Sequence, residues 1–486
     1  MGVYLKEVIH KPKTTKDMSK INPNTKPKPK ADANVRLAGG AGMAAAIQSN
    51  ISLLRRVVLA NLLWEDNAYV DGEATAAAIR RLVPLCNPED VANLTEEARL
   101  VQKLRHTPLF LASEMCKYEG TKEYVPEVLP RIITRADMLT DFLAIYWNKK
   151  KTPIAKCAKK GLAAAFHNFN EYKFAKYDRD GAIKLRDVMF LVHPKPRNEY
   201  ETTLFEKIAS RSLAVPETWE TMLSAGKDKK ATWTKLIEEG KIGGLAMLRN
   251  LRNMVQAGVD KKVIEKGLRE LKSSMLLPMN FLQAADNAPE FKRQIEDAMI
   301  ESYKNLPKLP GRTLFIVDVS GSMRCAYSSK SKYDRLAAAS VMAMLAANQC
   351  EDFELVCTAG SDAARKHKTE HIKYPSKGFD IISQIHSSAS HLGGGGIFTR
   401  QCLDWCRENI DGEFDRIIIF SDSQDCDTNK ALPKPYGKYN YIVDVSSEKR
   451  GICYKGIWTA EVTGFSENFL TFIAGYEGLA NLFEDA

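Results

Sequence analysis

The sequence has no window of 18 consecutive apolar residues, which argues against a membrane-spanning helix. It also lacks a hydrophobic opening segment of secretory length, since its first residues read MGVYLKEVIHKPKTTKDMSK. Lys6 stands where a myristoylation signal needs Ser or Thr, so the initial Met-Gly carries no such reading. None of its ten cysteines stands in paired metal spacing, and Cys402 and Cys406, four apart in a helical stretch, are expected to share a packed face. Reduced thiols in a cytoplasmic protein with no membrane partner are the expectation. A GxxxxGK[ST] loop is missing too, so nucleotide hydrolysis lacks its usual phosphate cradle.

What the chain does have is length and uneven charge. Its 486 residues exceed what one core accommodates and imply two or three domains. Residues 306–486 carry 20 Lys+Arg against 23 Asp+Glu, whereas residues 1–305 carry 50 against 37. The whole net charge of +10 therefore resides in the first part, which points to a polyanionic partner there.

Residues 1–30 hold eight lysines and four prolines and cannot bury enough apolar surface to offset chain entropy, so 1–36 is expected to be a flexible basic arm. From about Ala44 to Tyr303 apolar residues recur at three- and four-residue spacing, as in TEEARLVQKLRHTPLFLASEMC. Breaks such as CNPED, KYEGTKEY and NKKKTP divide the region into helices of common length. A helical-repeat array or irregular bundle over 37–305 follows, although no repeat unit emerges from the periodicity. After LPKLPG the texture changes. Short β-rich runs (RTLFIVDVS, DFELVCTAG, FDRIIIFSD, NYIVDVS) alternate with helical stretches, so 306–486 is expected to be an α/β domain with a mainly parallel, doubly wound sheet. The fold class is thus α followed by α/β.

In such sheets ligands sit at the carboxyl ends of the strands, and FIVDVSGSMR lies at one of them. Asp318, Ser320 and Ser322 follow the first strand at alternate spacing on a glycine-containing loop. Carboxylate and hydroxyl oxygens are hard ligands, suited to Mg2+ or Mn2+ rather than zinc. Asp422, at the end of another strand, and Thr399, before a helix in GGGGIFTR, can complete the set. This DxSxS pattern with a distant Thr and Asp resembles the metal-ion-dependent adhesion site of von Willebrand factor A domains. The resemblance implies a metal position left open for water or a partner's carboxylate. His367, His371 and His391 are read as solvent-exposed rather than as general bases.

Lys151 to Tyr200 is the most basic helical segment. Lys159, Lys160, Lys176 and Arg186 punctuate its apolar helices, and His193 ends one of them. Lysine ammonium groups neutralise phosphates with salt-dependent affinity. Phe166, Phe169 and Tyr177 can stack on bases, although core packing is the commoner use of each. RRVVLANLLWEDNAYVDGE, AFHNFNEYKFAKY, LRDVMFLVHPKP, TWETMLS, GGLAMLRNLRNM and LLPMNFLQAAD resemble the TROVE module of the Ro RNA-binding proteins, which end in a von Willebrand A-like domain opening on a DVSGSM-type motif, and the shorter bacterial type is the better match.

That resemblance implies a HEAT-like ring of helices closed by the A-like domain and a noncatalytic, monomeric scaffold in the family's manner. It implies a small noncoding Y-like RNA on a basic outer surface, single-stranded 3′ ends of misfolded or maturing RNA in a central hole, and an exoribonuclease partner. Lys176 and His193 match the family's lysine and histidine on the RNA-binding face, and Lys159 and Lys160 a basic pair on a neighbouring helix. Asp180 stands where the family usually has a second basic residue. Two other classes remain open: a metal-dependent protein-adhesion scaffold, and a metal-dependent nuclease using Asp318 and Asp422.

Overall fold

The computed structural model describes residues 50–59, 72–147, 151–178, 180–273, 276–326, 332–427, 432–445, 457–463 and 467–479; the basic arm expected over 1–36 lies outside them. The first part is helical throughout. It begins with α1 (Asn50–Leu59), α2 (Gly72–Leu82), α3 (Pro88–Leu100), α4 (His106–Met115), α5 (Glu119–Lys122), α6 (Val125–Ile132) and α7 (Asp137–Trp147). It continues through α8 (Lys156–Ala165), α9 (Glu171–Tyr177), α10 (Leu185–Val192), α11 (Glu199–Ser210), α12 (Trp219–Ser224) and α13 (Lys229–Glu238). The last of these helices are α14 (Gly244–Gln256), α15 (Lys261–Arg269), α16 (Pro278–Asn287) and α17 (Lys292–Ser302).

Local chemistry explains where many of them start. The side chains of Asn87, Asn170, Asn198, Thr218, Asp228 and Asp260 each accept a backbone N–H from the first turn that follows. Burial then groups the helices into two bodies. Helices α1–α11 enclose one core, with Leu54, Phe142, Phe166 and Phe174 fully inside it. Helices α13–α17 belong to a second core that runs on without a break into one face of the sheet.

That sheet comprises β1 (Leu309–Asp318), β2 (Cys350–Ser361), β3 (Lys366–Ile372), β4 (Arg416–Ser421), β5 (Tyr439–Asp444) and β6 (Ala460–Thr463). Its order is β3-β2-β1-β4-β5-β6. All neighbours pair in parallel except β2 and β3, an antiparallel hairpin at the edge. Alternation along β1 separates the two faces. Phe315 and Val317 join the core shared with the helical part, while Leu314 and Ile316 pack beneath a second layer. Helices α18 (Arg335–Gln349), α19 (Phe379–Leu392) and α21 (Asn468–Tyr476) cover the first face, and α20 (Thr399–Asn409) covers the other, with Cys402 and Cys406 buried under it. The sheet is doubly wound. Strand order reverses between β1 and β4, which makes their carboxyl ends the expected crevice.

The chain also closes on itself. Lys103, after α3, donates both to Leu276 O before α16 and to Glu467 at the start of α21. Asn468 Nδ2 donates to Val101 O, and β6 packs against α1. Helices and sheet domain therefore form one closed circuit.

Candidate functional site

Three loops meet at the carboxyl ends of β1 and β4. Ser421 Oγ donates to Asp318 Oδ2 at 2.7 Å, linking the two strand ends. Asp318 Oδ1 accepts from Ser320 N at 2.8 Å, and this turn leaves the Ser320 and Ser322 hydroxyls 3.2 Å apart. The intervening Gly321 lies so close to the glycine loop that a Cβ would strike Gly394 O, and its N–H donates to Gly395 O at 3.3 Å. Only glycine permits that approach. The third loop follows β4. Cys426 N donates to Ile397 O at 2.8 Å, and Asp425 Oδ1 accepts from Thr399 N at 3.3 Å, so the loop after Asp422 caps α20.

All five residues expected from the sequence, Asp318, Ser320, Ser322, Thr399 and Asp422, thus lie on this convergent edge. Asp318, Ser320, Thr399 and Asp422 are buried. The two residues intervening between the glycines and Thr399, Ile397 and Phe398, turn inward and are buried, so Thr399 still reaches the cradle as the first residue of α20. Burial, followed by the neighbouring Asp422 charge, pushes Asp318 up to about 7. Burial likewise pushes Asp425 up to about 7.

Among the described residues no cluster of three or more His, Cys, Asp or Glu side chains forms a metal site. A cation here would have to rely on hydroxyls as well as carboxylates. The donors fit that role. Thr399 Oγ1 and Asp425 Oδ2 are buried without hydrogen-bond partners, and every available ligand is a hard oxygen of the kind Mg2+ or Mn2+ takes.

Sequence reasoning did not select Ser421, Asp425 or Arg335. Asp425 had a visible signal, the acidic run SDSQDCD that contains Asp422. Arg335 had none: it opens α18, yet its Nη1 lies 3.1 Å from Asp422 Oδ2, with both side chains out of solvent. Two of the three histidines read as exposed, His367 and His371, need correction, and all three have partners. His367 Nδ1 lies 2.8 Å from Thr369 Oγ1, His371 Nε2 lies 2.8 Å from Glu354, and His391 Nε2 lies 2.8 Å from Glu370. The first two are half-buried on the edge hairpin, and only His391 is largely exposed.

The basic residues expected to bind RNA lie on α8 to α10. Lys159 and Lys160 are exposed on α8, which packs against α10. Lys176 is half-buried on α9, its Nζ 5.8 Å from the centre of the Tyr177 ring, whose other contact is the Arg135 guanidinium at 4.6 Å. Arg186 is half-buried on α10 with its Nε 3.9 Å from Asp187. His193 is exposed and adopts the left-handed conformation (φ 50°), ending α10 with its N–H on Met189 O at 2.9 Å. Helix ending and outward display of the ring are therefore the same geometric event.

Phe166 and Phe169 do not join this face. They pack edge to tilt with Phe174 inside the helical core, which removes them as base-stacking platforms. Asp180 is paired with Lys184 (3.1 Å) and Arg211 (2.9 Å), so it neutralises two cations beside the face.

Residues 209–356 match the model of the TROVE domain family, a span running from the end of α11 into β2. The crystal structure of the Deinococcus radiodurans Ro (RSR) protein superposes with a TM-score of 0.54, covering 88% of this chain and 100% of that one at 17% identity. Residues 209–356 are thus similar to the TROVE domain, and the chain shares the fold of that Ro protein. Telomerase protein component 1 of Mus musculus is 36% identical over 89 residues, and its Rattus norvegicus counterpart is 35% identical over 89 residues. The match takes in 17% of this chain and only 3% of those much longer relatives. In the Ro-type fold a helical part precedes a mostly parallel sheet domain, the order found here.

Proposed function

We propose that this protein is an RNA-binding scaffold of the Ro type. It binds a small structured, Y-like noncoding RNA on the basic surface around α8–α10 and admits single-stranded 3′ ends of misfolded or maturing RNA to the space its circuit of helices surrounds. It serves RNA quality control, processing or decay, with an exoribonuclease as its working partner. One observation carries this reading: Lys159, Lys160 and His193 project into solvent from packed helices in a chain that matches the TROVE domain family. Helices with buried apolar faces hold such cations at fixed spacing, which suits a phosphate backbone read by shape.

The test is a salt titration of a structured small RNA against wild type and the Lys176→Ala/His193→Ala pair. The pair weakens binding and flattens the plot of log affinity against log salt. Unchanged affinity at every salt concentration defeats the assignment of this face. Chelator-sensitive cleavage of the RNA would favour the nuclease instead.

The loop-edge cradle belongs to the same proposal as a divalent-cation site. Asp318, Ser320, Ser322, Thr399 and Asp422 would hold Mg2+ or Mn2+. When bound, the ion supplies a Lewis-acidic position for water or a partner's carboxylate. Ser421 orients Asp318, and the Asp425 loop fixes Thr399 at the start of α20.

A further inference from the structure

The cradle already contains a cation. Arg335 reaches from the first turn of α18 to Asp422 across the end of the sheet, 87 residues away in sequence. Its side chain is 2% exposed and that of Asp422 is 0% exposed, so solvent does not screen the pair. The neighbouring acid is not available to it instead: Asp334 caps α18 through Ala337 N at 2.8 Å and turns its other oxygen toward Arg324 at 3.5 Å. The remaining oxygen of Asp422 accepts a long bond from Gln424 N at 3.4 Å. Both oxygens of the expected ligand are therefore engaged by protein donors. The positive end of the α18 dipole adds to the local potential in the same sense.

We infer that Arg335 is a resident counter-cation of the cradle, which keeps the three loops ordered without a divalent ion and sets the ion's affinity low by holding Asp422. This rests on the divalent-cation reading above. Asp318, Asp422 and Asp425 are all buried at this edge, and Arg335 is the guanidinium that Asp422 holds. With the guanidinium removed, the edge gains one unit of negative charge and Asp422 is released, so both changes act in the same direction. Arg335 is a positioning residue: it acts on the ion through Asp422.

The experiment measures Mn2+ uptake by calorimetry and thermal unfolding with and without chelator, on the full chain. Arg335→Gln binds Mn2+ at least about tenfold more tightly than wild type. Its unfolding temperature falls further on chelation than that of wild type, because the ion it loses is held more tightly. Arg335→Lys, which keeps the charge, stays near wild type. Equal or weaker binding by Arg335→Gln, with Asp318→Ala abolishing uptake in both backgrounds, overturns the inference and leaves the divalent-cation reading standing. Absence of uptake in wild type and in Arg335→Gln removes that reading and this one together. Should Arg335→Gln not fold, side-chain NMR of the wild-type arginines decides: Mg2+ displaces the Arg335 Nε–H resonance, and a resonance unmoved at saturating uptake overturns the inference.

Discussion

Lys103 Nζ and Glu467 Oε1 lie 2.6 Å apart although 364 residues separate them in sequence. Both side chains are about nine-tenths buried, and the same ammonium also donates to Leu276 O. Three distant parts of the chain thus converge on one nitrogen: the helical beginning, the approach to α16 and the start of α21. Removing one member of such a pair strands the other charge away from water, a penalty of about 3 kcal/mol. Lys103→Met is therefore expected to lower stability by roughly that amount and to speed hydrogen exchange in α21. The double variant Lys103→Met/Glu467→Leu recovers most of the loss. Unaltered exchange in α21 of Lys103→Met would show that the circuit is held shut by other contacts.

Asp180 offers the converse experiment at the basic face. Its carboxylate occupies Lys184 and Arg211, and those two side chains hold it below the usual carboxylate range. Asp180→Ala frees both cations for phosphate. RNA affinity is expected to rise, and the slope of log affinity against log salt to steepen by about one for each freed cation that reaches a phosphate. A variant with the wild-type slope would place Lys184 and Arg211 off the path of the RNA.

A pH dependence follows from Glu201. Its carboxylate is held down to about 2, first by hydrogen bonding to Arg197, with the Arg197 N–H and His167 adding to the effect. The folded pKa lies below the unfolded value near 4.5, so this group's contribution to stability is present above pH 4.5 and disappears as pH falls through about 2. Glu201→Gln is expected to flatten the acid limb of the stability curve between those values and to weaken the junction of α8 with α11. An acid limb identical to that of wild type would show that the pair persists in the unfolded chain.

Much of this was legible in the sequence, and the reasons for success and failure are physical. The alternation FIVDVS and the apolar run RIIIF announce buried strands, and the ends of such strands in an alternating α/β texture fix where Asp318 and Asp422 must sit. The helical texture was equally plain, because three- and four-residue spacing is a local property. Long-range pairing was not. In YDRLAAAS, Arg335 reads as the polar start of a helix, and nothing local reveals that its guanidinium enters the sheet edge. The option of base stacking by Phe166 and Phe169 failed for the same reason: helix periodicity cannot say which apolar face meets Phe174 and Phe205. His193 lies between these cases. The following PKP marked the end of α10, but the left-handed backbone that carries the ring outward is a tertiary fact.

Thr399 separates a cation-binding cradle from a merely polar loop. Thr399 is 1% exposed and its hydroxyl makes no close hydrogen bond, so most of the desolvation cost of that group is uncompensated in the ion-free protein. Replacing it with the near-isosteric Val removes the hydroxyl while keeping the backbone N–H bond to Asp425. In chelator, Thr399→Val is expected to be more stable than wild type by about 1 kcal/mol. With Mn2+ present the order reverses, because the variant has lost a ligand while Asp318, Ser320 and Ser322 remain. Paired unfolding measurements with and without Mn2+ check both halves. A variant less stable than wild type under chelation would mean that the hydroxyl already has a protein partner, and equal stabilisation by Mn2+ in both proteins would take Thr399 out of the donor set.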